Sequence, residues 1–142
     1  MLRKGIGIGT ITGLLLGAIL WIAEIITGIN VYTLLLNVDF IPIIGRINWP
    51  VWIEWIFHLL VSWVLGIIYT LWIAFRTDRG TNIRWSIGLS LSMFAALSYF
   101  PLTDWAIKET PPLDDVTAIT IWFSAHFIYG IALVKLEEHW NK

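Results

Sequence analysis

Four long apolar runs, separated by short polar connections, organise this chain. Their lengths and spacing predict helices over about residues 7–27, 52–75, 85–100 and 116–136. A helix needs about 20 mostly apolar residues to cross a bilayer, and these runs are of that order. The reading is an all-α integral membrane protein, a four-transmembrane-helix bundle forming a single membrane domain over residues 1–142. In the first run the glycines Gly5, Gly9, Gly13 and Gly17 recur every fourth residue. On a helix that step forms one narrow face, a glycine zipper, where another backbone can approach closely. Trp21 and Glu24 are expected to extend the same face, which packs either inside the bundle or across a homodimer.

The connections are polar in different ways. Within the irregular stretch 28–50, residues 31–44 are apolar but interrupted by Asn37, Asp39 and Pro42. They are too short and too polar to span, and predict an interfacial or re-entrant segment lying over the bundle's mouth. Residues 76–84 form a short basic turn. The third helix carries Gly88, Ser92 and Ala96 at the same small-residue step and is expected to end at Pro101, which interrupts a helical hydrogen-bond ladder. The following loop, to Asp115, is acidic and holds Pro111-Pro112.

Composition agrees with the pattern and removes several classes of function. Only 13 % of the residues are charged and 58 % are hydrophobic, against about 25 % charged in soluble domains. Without cysteine there is no disulfide, thiolate metal site or redox couple. A net charge of −1 speaks against a nucleic-acid partner. The N-terminal run is longer than a signal-peptide core and lacks a small-residue cleavage site, so it reads as a retained first helix. Lysine and arginine concentrate at the two ends of the chain and in the second connection (Arg3, Lys4, Arg76, Arg79, Arg84, Lys135, Lys142), leaving Arg46 and Lys108 elsewhere. This bias places both termini in the cytoplasm. Trp49, Trp52, Trp55 and Trp105 then mark the outer interface and Trp72, Trp85 and Trp140 the inner one, with Trp21, Trp63 and Trp122 deeper.

Chemistry-bearing residues inside such helices are few. Glu24, near the end of the first helix, needs a partner or water, since an acid deep in a span costs up to about 3 kcal/mol. It reads either as a proton, cation or substrate contact or as an anchor for helix packing. In the second helix Glu54, His58, Ser62 and Tyr69, with Gly66, follow one face as a polar stripe. His126 sits mid-way along the fourth helix with Trp122 and Gly130 on its face, and Glu24 and His58 are its expected partners across the bundle. The pair Glu54 and His58 is too small a ligand set to predict a metal. No nucleophile–base–orienter arrangement, no H-E-x-x-H and no phosphate-binding glycine loop is present, so neither catalytic residue nor cofactor is expected.

Several segments together resemble the YagU-like family of bacterial inner-membrane proteins. The matching positions are Gly9, Gly13, Gly17, Trp21, Ala23 and Glu24; His58, Ser62 and Tyr69; Phe100-Pro101-Leu102; Thr110-Pro111-Pro112-Leu113 with Asp115; and His126. Thr27-Gly28-Ile29 stands where the family has a proline- and arginine-containing stretch, and the spacer before Thr110 is longer. The resemblance implies a small multi-pass fold and an inner-membrane location, and it supplies no reaction.

The residues then suggest an outward-facing polar pocket lined by Glu24, His58 and His126, with Glu54, Ser62, Tyr69 and Asp115 contributing. Its expected partner is a proton or small cation, beside the lipid bilayer and a homodimer partner. The alternative is a structural or accessory membrane protein whose polar residues only fix helix pairing.

Overall fold

The computed structural model describes residues 1–76 and 80–140 and contains no strand among them. Its helices are α1 (Leu2–Thr27), α2 (Val31–Leu36), α3 (Val51–Phe75), α4 (Thr81–Ala96), α5 (Tyr99–Trp105) and α6 (Val116–His139). Four segments are long and apolar enough to span a membrane: α1, α3, the α4–α5 stretch Thr81–Trp105, and α6. Ile11, Ile25, Val61, Val64, Phe75, Phe94 and Phe127 project outward from them. Such a surface suits hydrocarbon rather than water, and the protein is a multi-pass membrane bundle. Arg79 of the expected basic turn and Lys142 lie outside the described residues.

The glycine face of α1 packs against α3 of the same chain. A Cβ at Gly9 would lie 2.5 Å from the Ser62 carbonyl oxygen, and one at Gly66 would lie 2.4 Å from the Gly5 carbonyl oxygen. At such a crossing only the missing side chains let the two backbones meet. Gly13 faces Ser62 and Leu59, and Gly17 accommodates the ring of Trp55. This face is covered within the chain, so a dimer would have to use another surface.

Trp21 does not extend that face; it is 51 % exposed. Each four-residue step advances a helix by about 40° beyond a full turn, so four steps carry Trp21 almost to the opposite side. Leu16 and Leu20 take over the buried stripe instead.

A second tight pair joins α4 to α6 in antiparallel register. Gly88 lies against Val134, Gly130 against Ser92, and the indole N–H of Trp122 donates to the Ala96 carbonyl at 2.9 Å. The Ser92 hydroxyl donates to the His126 carbonyl. The small-residue step of one helix thus meets the four-residue step Trp122, His126, Gly130, Val134 of the other. Contacts between α1 and α6 join the two pairs, whereas α3 and α4 touch little.

Pro101 does not end the third span where expected. The helix breaks earlier, at Leu97–Ser98, and Pro101 lies in the first turn of α5. A proline ring collides with the carbonyl four residues back, here that of Leu97, and its missing N–H costs nothing in a first turn. The break therefore lies one turn upstream of the proline. At the other end of the bundle the two chain termini come together, with Lys4 bonded to Glu137 at 3.1 Å.

Candidate functional site

Because α3 and α4 stand apart, a cavity of about 480 Å³ lies between α3, α4 and α6, under a roof made by α2 and the segment after it. That size is ordinary for a small-molecule site, which spans about 300–1,000 Å³. The walls are almost wholly apolar: Leu16, Leu35, Val38, Phe40, Ile41, Phe57, Leu65, Leu102 and Trp122 contribute. Of the lining residues, only Leu60, Val61 and Phe94 are exposed, so they form the rim. Val61 is the eleventh residue of the 25 in α3, and Phe94 the fourteenth of the 25 in Thr81–Trp105. The mouth therefore opens sideways near the middle of the spans, at the depth of lipid tails.

Two histidines stand in this wall. The His58 Nε2 lies 3.0 Å from the Gly13 carbonyl oxygen, and the His126 Nδ1 lies 2.9 Å from the Trp122 carbonyl oxygen. A carbonyl only accepts, so His58 carries its proton on Nε2 and His126 on Nδ1. The Gly13 contact depends on the glycine crossing that brings α1 against α3. Rings fix both side chains: Trp55 meets His58 edge-on at 5.6 Å, and Trp122 lies over His126 at 4.7 Å. Beside them, the Ser62 hydroxyl donates to the Gly9 carbonyl at 2.7 Å and pairs with the Tyr129 hydroxyl at 3.1 Å.

The expected three-residue cluster is only partly formed. His58 and His126 line one cavity, with Ser62; Glu24 does not join them. Its carboxylate accepts from the backbone N–H of Tyr32 at 2.7 Å and of Thr33 at 2.9 Å, and from the Thr33 hydroxyl at 2.9 Å. Those amides open α2, whose first N–H groups have no helical acceptor. The turn that lets α2 fold back depends on Gly28, at φ 71°, whose N–H closes on the Glu24 carbonyl. Positive φ is the reason for glycine here. Glu24 is thus a cap for the roof. Glu24→Ala is expected to cost about 2 kcal/mol, as charged hydrogen bonds do. Hydrogen exchange should then show lost protection at the Tyr32 and Thr33 amides; unchanged protection there would refute the capping role.

The other expected pocket residues are also placed elsewhere. Glu54 is buried but pairs with Lys108. Tyr69 donates to the Arg84 carbonyl at 3.3 Å, toward the end that carries both termini. Asp115 caps α6 by accepting from the Ala118 N–H at 3.0 Å. The polar stripe of α3 is therefore divided among three environments, because a face followed over about four turns passes different neighbours.

Residues outside the sequence-based set tie the roof together. Asp39 accepts from the Ile107 N–H at 3.0 Å and from the Lys108 N–H, while Asn37 holds Asp39 through its side-chain amide at 2.8 Å. With Lys108 on Glu54, these contacts join the loop after α2, the loop before α6, and α3. Nothing in the local sequence pairs positions 69 apart; Asp39 was visible only as a polar interruption of an apolar stretch and Lys108 only as a cation in an acidic loop. Tyr129, three residues after His126, was accessible to helical spacing. Among the described residues, no three His, Asp or Glu side chains gather.

No family model, curated protein or solved structure matches this chain.

Proposed function

We propose that this protein binds a hydrophobic small molecule drawn from the bilayer into its lateral cavity. The carrying observation is the position of the mouth, between Leu60 and Val61 of α3 and Phe94 of α4, near mid-span. A route from that depth admits lipid-soluble molecules and disfavours ions, for which no carboxylate lines the wall. In a cell the bundle sits in a bacterial inner membrane with its termini in the cytoplasm, a reading supported by the lysine and arginine bias. The motif order shared with YagU-like proteins supports the same location. The test is photolabelling in lipid nanodiscs with an alkyl probe carrying a mid-chain diazirine. Labels should concentrate at Leu60, Val61 and Phe94, and Val61→Trp should remove most of them. Labelling no heavier there than at outward residues such as Ile25 would sink the proposal.

A proton or small-cation role is the second reading, favoured by the presence of two imidazoles in one cavity. It requires flux above that of empty liposomes, lost in His126→Gln without loss of thermal stability. If neither labelling nor flux is found, the structural or accessory role remains, in which the polar residues serve helix pairing. A homodimer belongs with any of these readings, through a surface other than the glycine face.

A further inference from the structure

We infer that the cavity's ligand is a neutral lipid bearing a hydroxyl group, held with that hydroxyl donating its one proton to the free imidazole nitrogen of His126. The inference rests on the binding role proposed above and narrows it to a chemical class. His58 donates from Nε2 and His126 from Nδ1, each to a backbone carbonyl. The opposite nitrogens, Nδ1 of His58 and Nε2 of His126, are acceptors and have no donor among the described residues. Both side chains are nine-tenths or more buried, at 9 % and 4 % exposure, and both line the same cavity. The sole enclosed polar side-chain atom without a partner among the described residues is Thr103 Oγ1. The two imidazole nitrogens are therefore open to the cavity rather than sealed in protein.

The rest of the polar lining is mostly occupied within the protein. Asn37 is bonded to Asp39 through both ends of its amide. The Ser62 proton goes to the Gly9 carbonyl, so the Tyr129 hydroxyl donates to Ser62. Ser98 can donate or accept, and so does not discriminate between ligands. An apolar chamber with two unmatched acceptors favours a ligand with an apolar body and a hydrogen-bond donor. No Asp, Glu, Lys or Arg lines the chamber. A phosphate or ammonium headgroup would therefore enter uncompensated, at a cost that excludes it. His58 lies seven residues into α3, about 10 Å along its axis, so the hydroxyl must be drawn below the headgroup layer. A small uncharged head on a long chain meets all of these requirements.

The experiment is competition for the diazirine probe in nanodiscs, comparing a long-chain primary alcohol, its methyl ether and the matching carboxylic acid. The alcohol should displace the probe at about tenfold lower concentration than the ether, the factor that one hydrogen bond is worth. His126→Phe keeps a ring in place but removes the acceptor, and should bring alcohol and ether together. His126→Asn, which can still bond the Trp122 carbonyl but cannot reach as far as Nε2, should do the same if the first variant fails to fold. Equal displacement by alcohol and ether in the native protein overturns the inference while leaving the cavity-binding role intact. Preference for the acid over the alcohol overturns it, since the ligand would then be a carboxyl compound rather than an alcohol. Absence of probe from the cavity defeats the binding role itself.

Discussion

Gly9→Leu is expected to drive α1 and α3 apart and to unfold the bundle at temperatures the native protein survives. Even a Cβ at this site would lie 2.5 Å from the Ser62 carbonyl oxygen and 2.8 Å from the Trp63 Cα. These are backbone atoms, so no rotamer change relieves the overlap. Overpacking of a closed interface costs about 3 kcal/mol when the backbone must shift. Separation would also break the Ser62–Gly9 hydrogen bond and the contact that orients His58 on Gly13. Probe labelling of the cavity should therefore fall with stability. Ala18→Leu is the control: the residue is exposed on the same helix, and its substitution should stay within about 0.5 kcal/mol. Denaturant unfolding in detergent micelles measures both. The oligomeric size in detergent should not change in Gly9→Leu, since the face is already occupied within the chain. A folded variant with an altered oligomer would instead make the glycine face an interface between chains.

Periodicity made the fold legible and left much of the site hidden, for reasons that particular residues show. Four apolar runs identified the spans, and two small-residue steps marked faces open to close approach, because close packing requires small residues at regular spacing. Which helix covers each face, or whether a second chain does, was left open. The same reasoning overextended at Trp21, where a four-residue step drifts off a 3.6-residue helix. It also placed the third helix end at Pro101, although the steric effect of a proline acts one turn upstream. His58, Ser62 and His126 were found because polar groups in an apolar run must face something. What each one faces depends on three-dimensional neighbours, so Glu24 was assigned to a pocket when its partners lie only eight and nine residues onward, on α2. The sideways mouth had no signature in the sequence. It follows from weak packing between α3 and α4, a property of two helices together and of neither alone.

Glu137 carries the other large effect. Sequence alone placed it in a polar tail, yet its side chain is 4 % exposed and binds two cations. Lys4 of α1 reaches one carboxylate oxygen at 3.1 Å and also donates to the Glu137 carbonyl at 3.2 Å. Arg84 of α4 bonds the other oxygen, and its own carbonyl accepts from Tyr69 of α3. One acid therefore links the ends of all four spans, directly or through Arg84. Glu137→Ala would take away the carboxylate that these two partly buried cations share. Removing one member of a buried ion pair costs about 3–5 kcal/mol. Lys4 and Arg84 keep 21 % and 17 % exposure, so water relieves part of that penalty and about 3 kcal/mol is expected. The neighbouring pair Lys135–Glu138 is far more open, with lysine 63 % exposed, and Glu138→Ala should cost less than about 1 kcal/mol. Combining Glu137→Leu with Lys4→Met and Arg84→Met should recover most of the loss, because the cost lies in the lost charge pairing rather than in missing volume. Unfolding curves for the four proteins decide it: equal losses in Glu137→Ala and Glu138→Ala, or no recovery in the triple variant, would remove Glu137 from its place as the electrostatic knot of the bundle.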